Sequence, residues 1–326
     1  MLQFLRVLCI CCSLYFTAPW SFAQALNWPE KPIRVIVPYT PGGGTDALTR
    51  QLTERLSAEQ RWSFIIDNKP GGGGNIGLEL LAKSKPDGYT LAMGQTANLA
   101  INPAAMNKMP FDAQKDFVPI AIVAEQPTIL VVKADSPLKN LSELMKAAKS
   151  NANALKLASA GTGTVGHLAA ELLAKRAGVE FLHIPYKGAV PAITDLLGGQ
   201  TDLMFATPQA VLGLIKADKI RALAVSSSKR MGILPDVQTV AEGGYLKFQA
   251  VDWKVLLAPS STPLEIQLKL NTAIEHVLNQ PKFNAQLALE GSSPLGGNLQ
   301  KTANFVKDEQ TQWEQVVQSA NIKLEP

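Results

Sequence analysis

Cysteine is almost missing from this chain. Its 326 residues hold three, Cys9, Cys11 and Cys12, so everything after them is without a disulfide, a thiol nucleophile or a cysteine-bound metal. Histidine is equally sparse. His167, His183 and His276 lie far apart and show no spacing that would hold a metal ion. The net charge is +4, yet Lys and Arg do not gather into a stripe with interleaved aromatics, which leaves nucleic-acid binding without support. There is no Gly-x-Ser-x-Gly elbow, and no catalytic triad can be assembled. After the N-terminal segment no apolar run approaches the ~18 residues of a membrane-spanning helix.

The first residues have the layout of a secretory leader. Arg6 supplies a positive charge, Val7 to Ala18 form a short apolar stretch, and small residues recur at Ser21, Ala23 and Ala25. Residues 1–25 are therefore expected to be a signal peptide, cleaved near Ala23 to Ala25. Cys12 raises the alternative of a lipid anchor, but Ile10-Cys11 before it is a poor small-residue context. The remaining length exceeds what one hydrophobic core usually serves. With 46% hydrophobic and 18% charged residues, two folded α/β lobes are expected.

Two segments share one grammar of apolar strand, glycine-rich turn and helix. The first runs from Ile33–Val37 through Pro41-Gly42-Gly43-Gly44-Thr45-Asp46; the second runs from Leu155–Ser159 through Gly161-Thr162-Gly163-Thr164. Glycines admit positive φ and close approach of a ligand, and the following helix presents unpaired N–H groups with partial positive charge. Each is thus either a tight turn or an anion cradle. Helix periodicity is plain after both: Leu48, Leu52 and Leu56 in the first, and Val165, Leu168, Ala169, Leu172 and Leu173 in the second, which stops at Gly178. Further strands are expected at 62–66, 89–93, 118–123, 128–132, 181–184, 202–205, 221–225 and 251–257, with a mostly helical stretch from Pro263 to about Ala320. This alternation predicts α/β lobes with a mainly parallel sheet in each. The chain is expected to cross between lobes near 124–128 and 241–245, giving a hinge.

Gly161-x-Gly163-x-x-Gly166 matches the dinucleotide fingerprint, but the following strand ends in His183-Ile184-Pro185-Tyr186 without the acid that holds a ribose. No Gly-Lys-Ser/Thr follows either turn, which excludes a Walker loop. Gly71–Gly74 reads as a structural bend, a lip over a cleft or a ligand contact. His167 is either a hydrogen-bonding site residue or a structural histidine, and Asp46 either caps its helix, orients a pocket or serves as a base.

Several motifs in one order resemble a known family. They are Trp28-Pro29-x-Lys31-Pro32-Ile33-Arg34, Pro38-Tyr39-x-Pro41-Gly42-Gly43-x-x-Asp46, Asn68-Lys69-Pro70-Gly71-x-Gly73-Gly74-Asn75-Ile76-Gly77 and Lys85-Pro86-Asp87-Gly88-Tyr89. They continue with Gly161-x-Gly163-Thr164-x-x-His167-Leu168, His183-Ile184-Pro185-Tyr186-Lys187-Gly188, Leu234-Pro235-Asp236-Val237 and Ala258-Pro259-Ser260-Ser261-Thr262-Pro263. The chain resembles the extracytoplasmic solute-binding receptors of tripartite tricarboxylate transporters, the Bug (Bordetella uptake gene) family. It departs from the family's Trp-x-Gly at Trp253-Lys254-Val255.

The resemblance implies a two-lobed periplasmic binding protein of the type II, Venus-flytrap kind, with lobe 1 at 26–125 plus 245–326 and lobe 2 at 126–244. It implies a small carboxylate pinched between two jaws, without catalytic residues, cofactor, metal or nucleic acid, in a monomer that meets membrane transporter subunits or a signalling partner. Carried onto this chain, the first jaw is Tyr39, Gly43, Gly44 and Asp46, and the second is Ala160, Gly161, Thr162, Gly163, Thr164 and His167. Gln95, Thr96 and Asn98, and likewise Phe205, Ala206 and Thr207, follow strands and are placed to line the same crevice. Two other functions remain open at this level: a receptor used for sensing, and an exported α/β hydrolase or lyase with Asp46 or His167 as base.

Overall fold

The computed structural model describes residues 27–150, 155–319 and 322–324. The expected leader, with its three cysteines, lies outside the described residues. Every sheet and helix among the described residues belongs to one compact unit that begins at Lys31. Its strands are β1 (Ile33–Val37), β2 (Phe64–Asn68), β3 (Thr90–Gln95), β4 (Phe117–Pro127), β5 (Ile129–Lys133), β6 (Lys156–Ser159), β7 (Leu182–Pro185), β8 (Leu203–Ala206), β9 (Ile220–Val225), β10 (Val251–Pro259) and β11 (Ser293–Pro294). Its helices are α1 (Gly44–Gln60), α2 (Asn75–Ala82), α3 (Asn102–Ala105), α4 (Leu141–Ser150), α5 (Val165–Ala177), α6 (Ala189–Leu197), α7 (Pro208–Lys216), α8 (Leu264–Leu278), α9 (Pro281–Leu289) and α10 (Leu299–Ser319).

The strands form two sheets, β11-β4-β10-β3-β1-β2 and β7-β6-β8-β5-β9. The α/β architecture with two sheets and two crossings is the expected one, but the sheets are mixed rather than mainly parallel. β1 pairs in parallel with β2 and β3, whereas β10 runs antiparallel to β3 and β4, and β11 antiparallel to β4. In the second sheet β6 is parallel to β7 and β8, and β5 is antiparallel to β8 and β9. The cause is topological. β5 and β10 enter their sheets from the other sheet rather than through a crossover helix, so their direction reverses. Their sequences do not betray this: Ile129–Val132 of β5 are all buried, and a strand covered on both faces is apolar whichever way it runs.

The two crossings are fastened to one another. Thr128, the single residue between β4 and β5, donates its N–H to Ser226 Oγ at 2.7 Å, and Ser226 N–H donates back to Thr128 O at 2.9 Å. Ser226 Oγ donates to Ala250 O at 2.5 Å, and Ala250 N–H to Ser226 O at 3.0 Å. All three residues are buried. The second passage lies between Val240, whose N–H still bonds Val225 O beside β9, and Val251, where first-sheet pairing resumes. Residues from the C-terminal helix return as expected to the first sheet, where Val306, Trp313 and Val317 join a core with Phe117, Ile122 and Trp253.

Candidate functional site

Turns leaving the carboxyl ends of β1, β3, β6 and β8 meet around a cavity of about 50 Å³. From the first sheet come Tyr39, Gly43, Gly44, Thr45 and Gln95; from the second come Ala160, Thr164, Val165, Gly166, Met204, Phe205, Ala206 and Thr207. Thr128 at the crossing, Ala189 and Asp252 complete the lining. Four helices begin here. α1, α5, α6 and α7 have Gly43, Thr164, Gly188 and Thr207 at their N-caps, and none of these makes a side-chain capping hydrogen bond. First-turn N–H groups have no intrahelical acceptor and carry partial positive charge. Their convergence favours an anion, although no Lys or Arg lines the space.

A saturated hydrogen-bond chain frames the first-sheet wall. Thr45 Oγ1 donates to Gln95 Oε1 at 2.6 Å, Gln95 Nε2 to Tyr39 Oη at 2.9 Å, and Tyr39 Oη to Gly73 O at 2.8 Å. Burial, followed by the nearby charge of Asp252, pushes the Tyr39 phenol well above its usual range. Tyr39 therefore stays a neutral donor that orients the wall.

Several expected site residues stand behind this wall instead of on it. Asp46 accepts from Gly42 N–H, Asn68 Nδ2 and Arg50 Nε, each at 2.9 Å. Burial alone would raise its carboxyl, but these donors together hold it below the ordinary carboxylate range; it locks the turn. Thr96 Oγ1 accepts Trp253 N–H at 2.8 Å, and Asn98 Oδ1 accepts Gln95 N–H at 3.0 Å.

Gly161, Thr162, Gly163 and His167 are likewise off the cavity lining. A Cβ at Gly163 would fall 1.8 Å from Asn102 Oδ1, and one at Gly73 2.2 Å from Thr162 O. These glycines serve the close approach of the second loop to the Gly72–Gly74 turn and to α3. The Gly71–Gly74 stretch is thus a lip pressed against the opposite jaw.

His167 supports that loop from below, with Nδ1 accepting Gly163 N–H at 3.2 Å and its ring stacked on His183 at 3.7 Å. His183 Nε2 lies 2.7 Å from Ser159 Oγ, which also accepts Gly161 N–H. Burial, then the charge of His167, pushes the His183 imidazole from 6.5 down to about 4, against the opposite pull of Glu171. Between pH 6.5 and about 4 only the unfolded chain takes up that proton, so stability falls as pH drops through this window. His183→Gln is expected to flatten that part of the stability–pH curve measured by urea melts; parallel curves for the two proteins would refute it.

Sequence reasoning missed seven residues of the lining. Thr45, Val165, Gly166 and Met204 are next to named site residues, while Thr128 sits at the crossing and Ala189 opens α6. Asp252 gave no turn or glycine signal, since it sits inside strand β10. Among the described residues no cluster of His, Cys, Asp and Glu could hold a metal ion, and no helix is long and apolar enough to cross a membrane.

The profile of a family described as "Tripartite tricarboxylate transporter family receptor" matches residues 48–322. An R. palustris protein solved with adipate is 34% identical, with a TM-score of 0.88 over 91% of this chain and 99% of its own. The periplasmic binding protein BugD is 33% identical, with a TM-score of 0.87 over 91% of this chain and 99% of its own. MatC from Rhodopseudomonas palustris, solved with bound malate, is 32% identical, with a TM-score of 0.84 over 89% of this chain and 100% of its own.

Proposed function

The chain belongs to the tripartite tricarboxylate transporter receptor family, and from that premise we propose that it is an exported periplasmic receptor that closes on a small carboxylate and delivers it to a tripartite tricarboxylate-type membrane transporter. Proteins of this family are periplasmic solute-binding proteins, not enzymes. The leader is removed near Ala23 to Ala25, and the two sheets, as the two lobes, move about the Thr128–Ser226–Ala250 crossing. The observation that carries the reading is the meeting of four uncapped helix N-termini at one cavity without a basic side chain. Peptide dipoles in a water-poor space hold an anion without the desolvation cost of a fixed counter-charge. The solved relatives with adipate and malate support the choice of a carboxylate.

The test is a melting-temperature screen against a broad panel of small carboxylates. Ligand at ~100 Kd adds about 2.7 kcal/mol, a rise of roughly 5–8 °C for a protein of this size. The ligand should be recovered unchanged. A panel that gives neither a melting shift nor calorimetric heat would end this reading.

A further inference from the structure

β10 runs between β3 and β4, and its alternation divides its side chains between two faces. Trp253 goes into the core, fully buried, with Nε1 donating to Glu309 Oε2 at 2.6 Å. Asp252 and Lys254 share the opposite face. That face looks onto the cavity: Asp252 lines it, and Lys254 stands in register with Gln95, which lines it too. Lys254 Nζ donates to Asp252 Oδ2 at 2.9 Å, with the two side chains 1% and 4% exposed. The other oxygen, Oδ1, is buried and accepts no hydrogen bond among the described residues.

A carboxylate can only accept hydrogen bonds, and buried acceptors in native proteins are almost always satisfied. A buried ion pair is also weak evidence of a stabilising role, since apolar residues of like volume serve stability as well. An open acceptor on the wall of a binding cavity is explained by a donor that arrives with the ligand. Lys254 fixes which oxygen is left open and balances the charge of Asp252. Because Lys254 already neutralises Asp252, a ligand ammonium would give up its hydration for a carboxylate whose charge is largely spent; a neutral donor loses far less on burial.

We propose that Asp252 is a specificity-determining residue: with the ligand's carboxylate at the helix N-termini, Asp252 Oδ1 accepts a hydrogen bond from a ligand hydroxyl, so that hydroxy acids are selected over unsubstituted and amino acids. Lys254 is the positioning residue behind it. The inference rests on the carboxylate-receptor reading above and names the ligand class for that same cavity.

The experiment is calorimetric titration with two matched trios, propionate, lactate and alanine, and succinate, malate and aspartate. Within each trio only a hydrogen, a hydroxyl or an ammonium changes beside the carboxylate. In at least one trio the hydroxy acid should bind at least tenfold more tightly than both companions. In Asp252→Ala/Lys254→Met, which leaves neither buried charge unpaired, the hydroxy-to-unsubstituted ratio should fall to within about twofold. An unsubstituted or amino acid that binds as well as the hydroxy acid in the unaltered protein overturns the proposal, and that comparison needs no variant to fold. A preference that survives in the double variant also overturns it. Binding of unsubstituted acids alone, or of none of the six while adipate binds, would leave the carboxylate reading standing without this one.

Discussion

Gly44→Ala is expected to weaken carboxylate binding roughly 30-fold or more while leaving the unliganded protein as stable as its parent. Gly44 opens α1 at the first jaw. A Cβ there would lie 2.7 Å from Thr207 Oγ1, 3.1 Å from Thr207 Cβ and 3.0 Å from Gln209 Oε1. Two of these atoms belong to Thr207 in the β8–α7 turn and the third to Gln209 in the first turn of α7, all beside the other sheet. Gly44 has no positive φ, and alanine is the better helix former. The added methyl therefore costs nothing within its own helix and obstructs only the meeting of the jaws. Preventing the last few tenths of an ångström of closure spoils several N–H contacts to the anion together. A loss of about 2 kcal/mol corresponds to roughly 30-fold in Kd. Calorimetry gives the affinity and a thermal melt gives the stability. Unchanged affinity would mean that ligand is held without this contact; lost stability would mean that Gly44 serves the fold.

Ser226→Ala should have the largest effect on stability. Its hydroxyl accepts the Thr128 N–H and donates to Ala250 O, so one buried side chain ties both inter-sheet crossings. Removing it strands a buried N–H donor and weakens the satisfaction of a buried carbonyl, each a cost of roughly 1–3 kcal/mol. A total of about 3 kcal/mol is expected, which lowers Tm by roughly 6–10 °C in a protein of this size. A melt within 2 °C of the parent would show that the crossing does not depend on this serine.

Much of the fold was legible because burial and period agree. Ile33–Val37 reads as a strand and is one, and α5 ends where Gly178 takes φ +64°. Strand direction was not legible. Ile129–Val132 would be equally apolar in either sense, and only the crossing at Thr128 decides it. The jaws were legible as glycine turns, but a glycine reports close approach without saying what approaches. At Gly163 the neighbour is Asn102, and at Gly73 it is Thr162, so both glycines report one jaw packed closely against the other. Asp46 was legible as a helix-start acid, while its full engagement by Gly42, Asn68 and Arg50 depends on chain segments brought together only by the fold. Asp252 was hidden for a different reason. Its neighbour Trp253 faces the core, and nothing local tells which face of β10 looks onto a cavity assembled from both sheets.

Anion recognition by uncapped helix N-termini can be checked without knowing the natural ligand. Each acid that shifts the melting temperature is titrated calorimetrically beside its own primary amide, at one pH and one salt concentration. The acid should bind and the amide should bind at least 100-fold more weakly, because the four helix starts favour negative charge. An amide that binds as tightly as its acid would contradict the carboxylate-clamp account at its root.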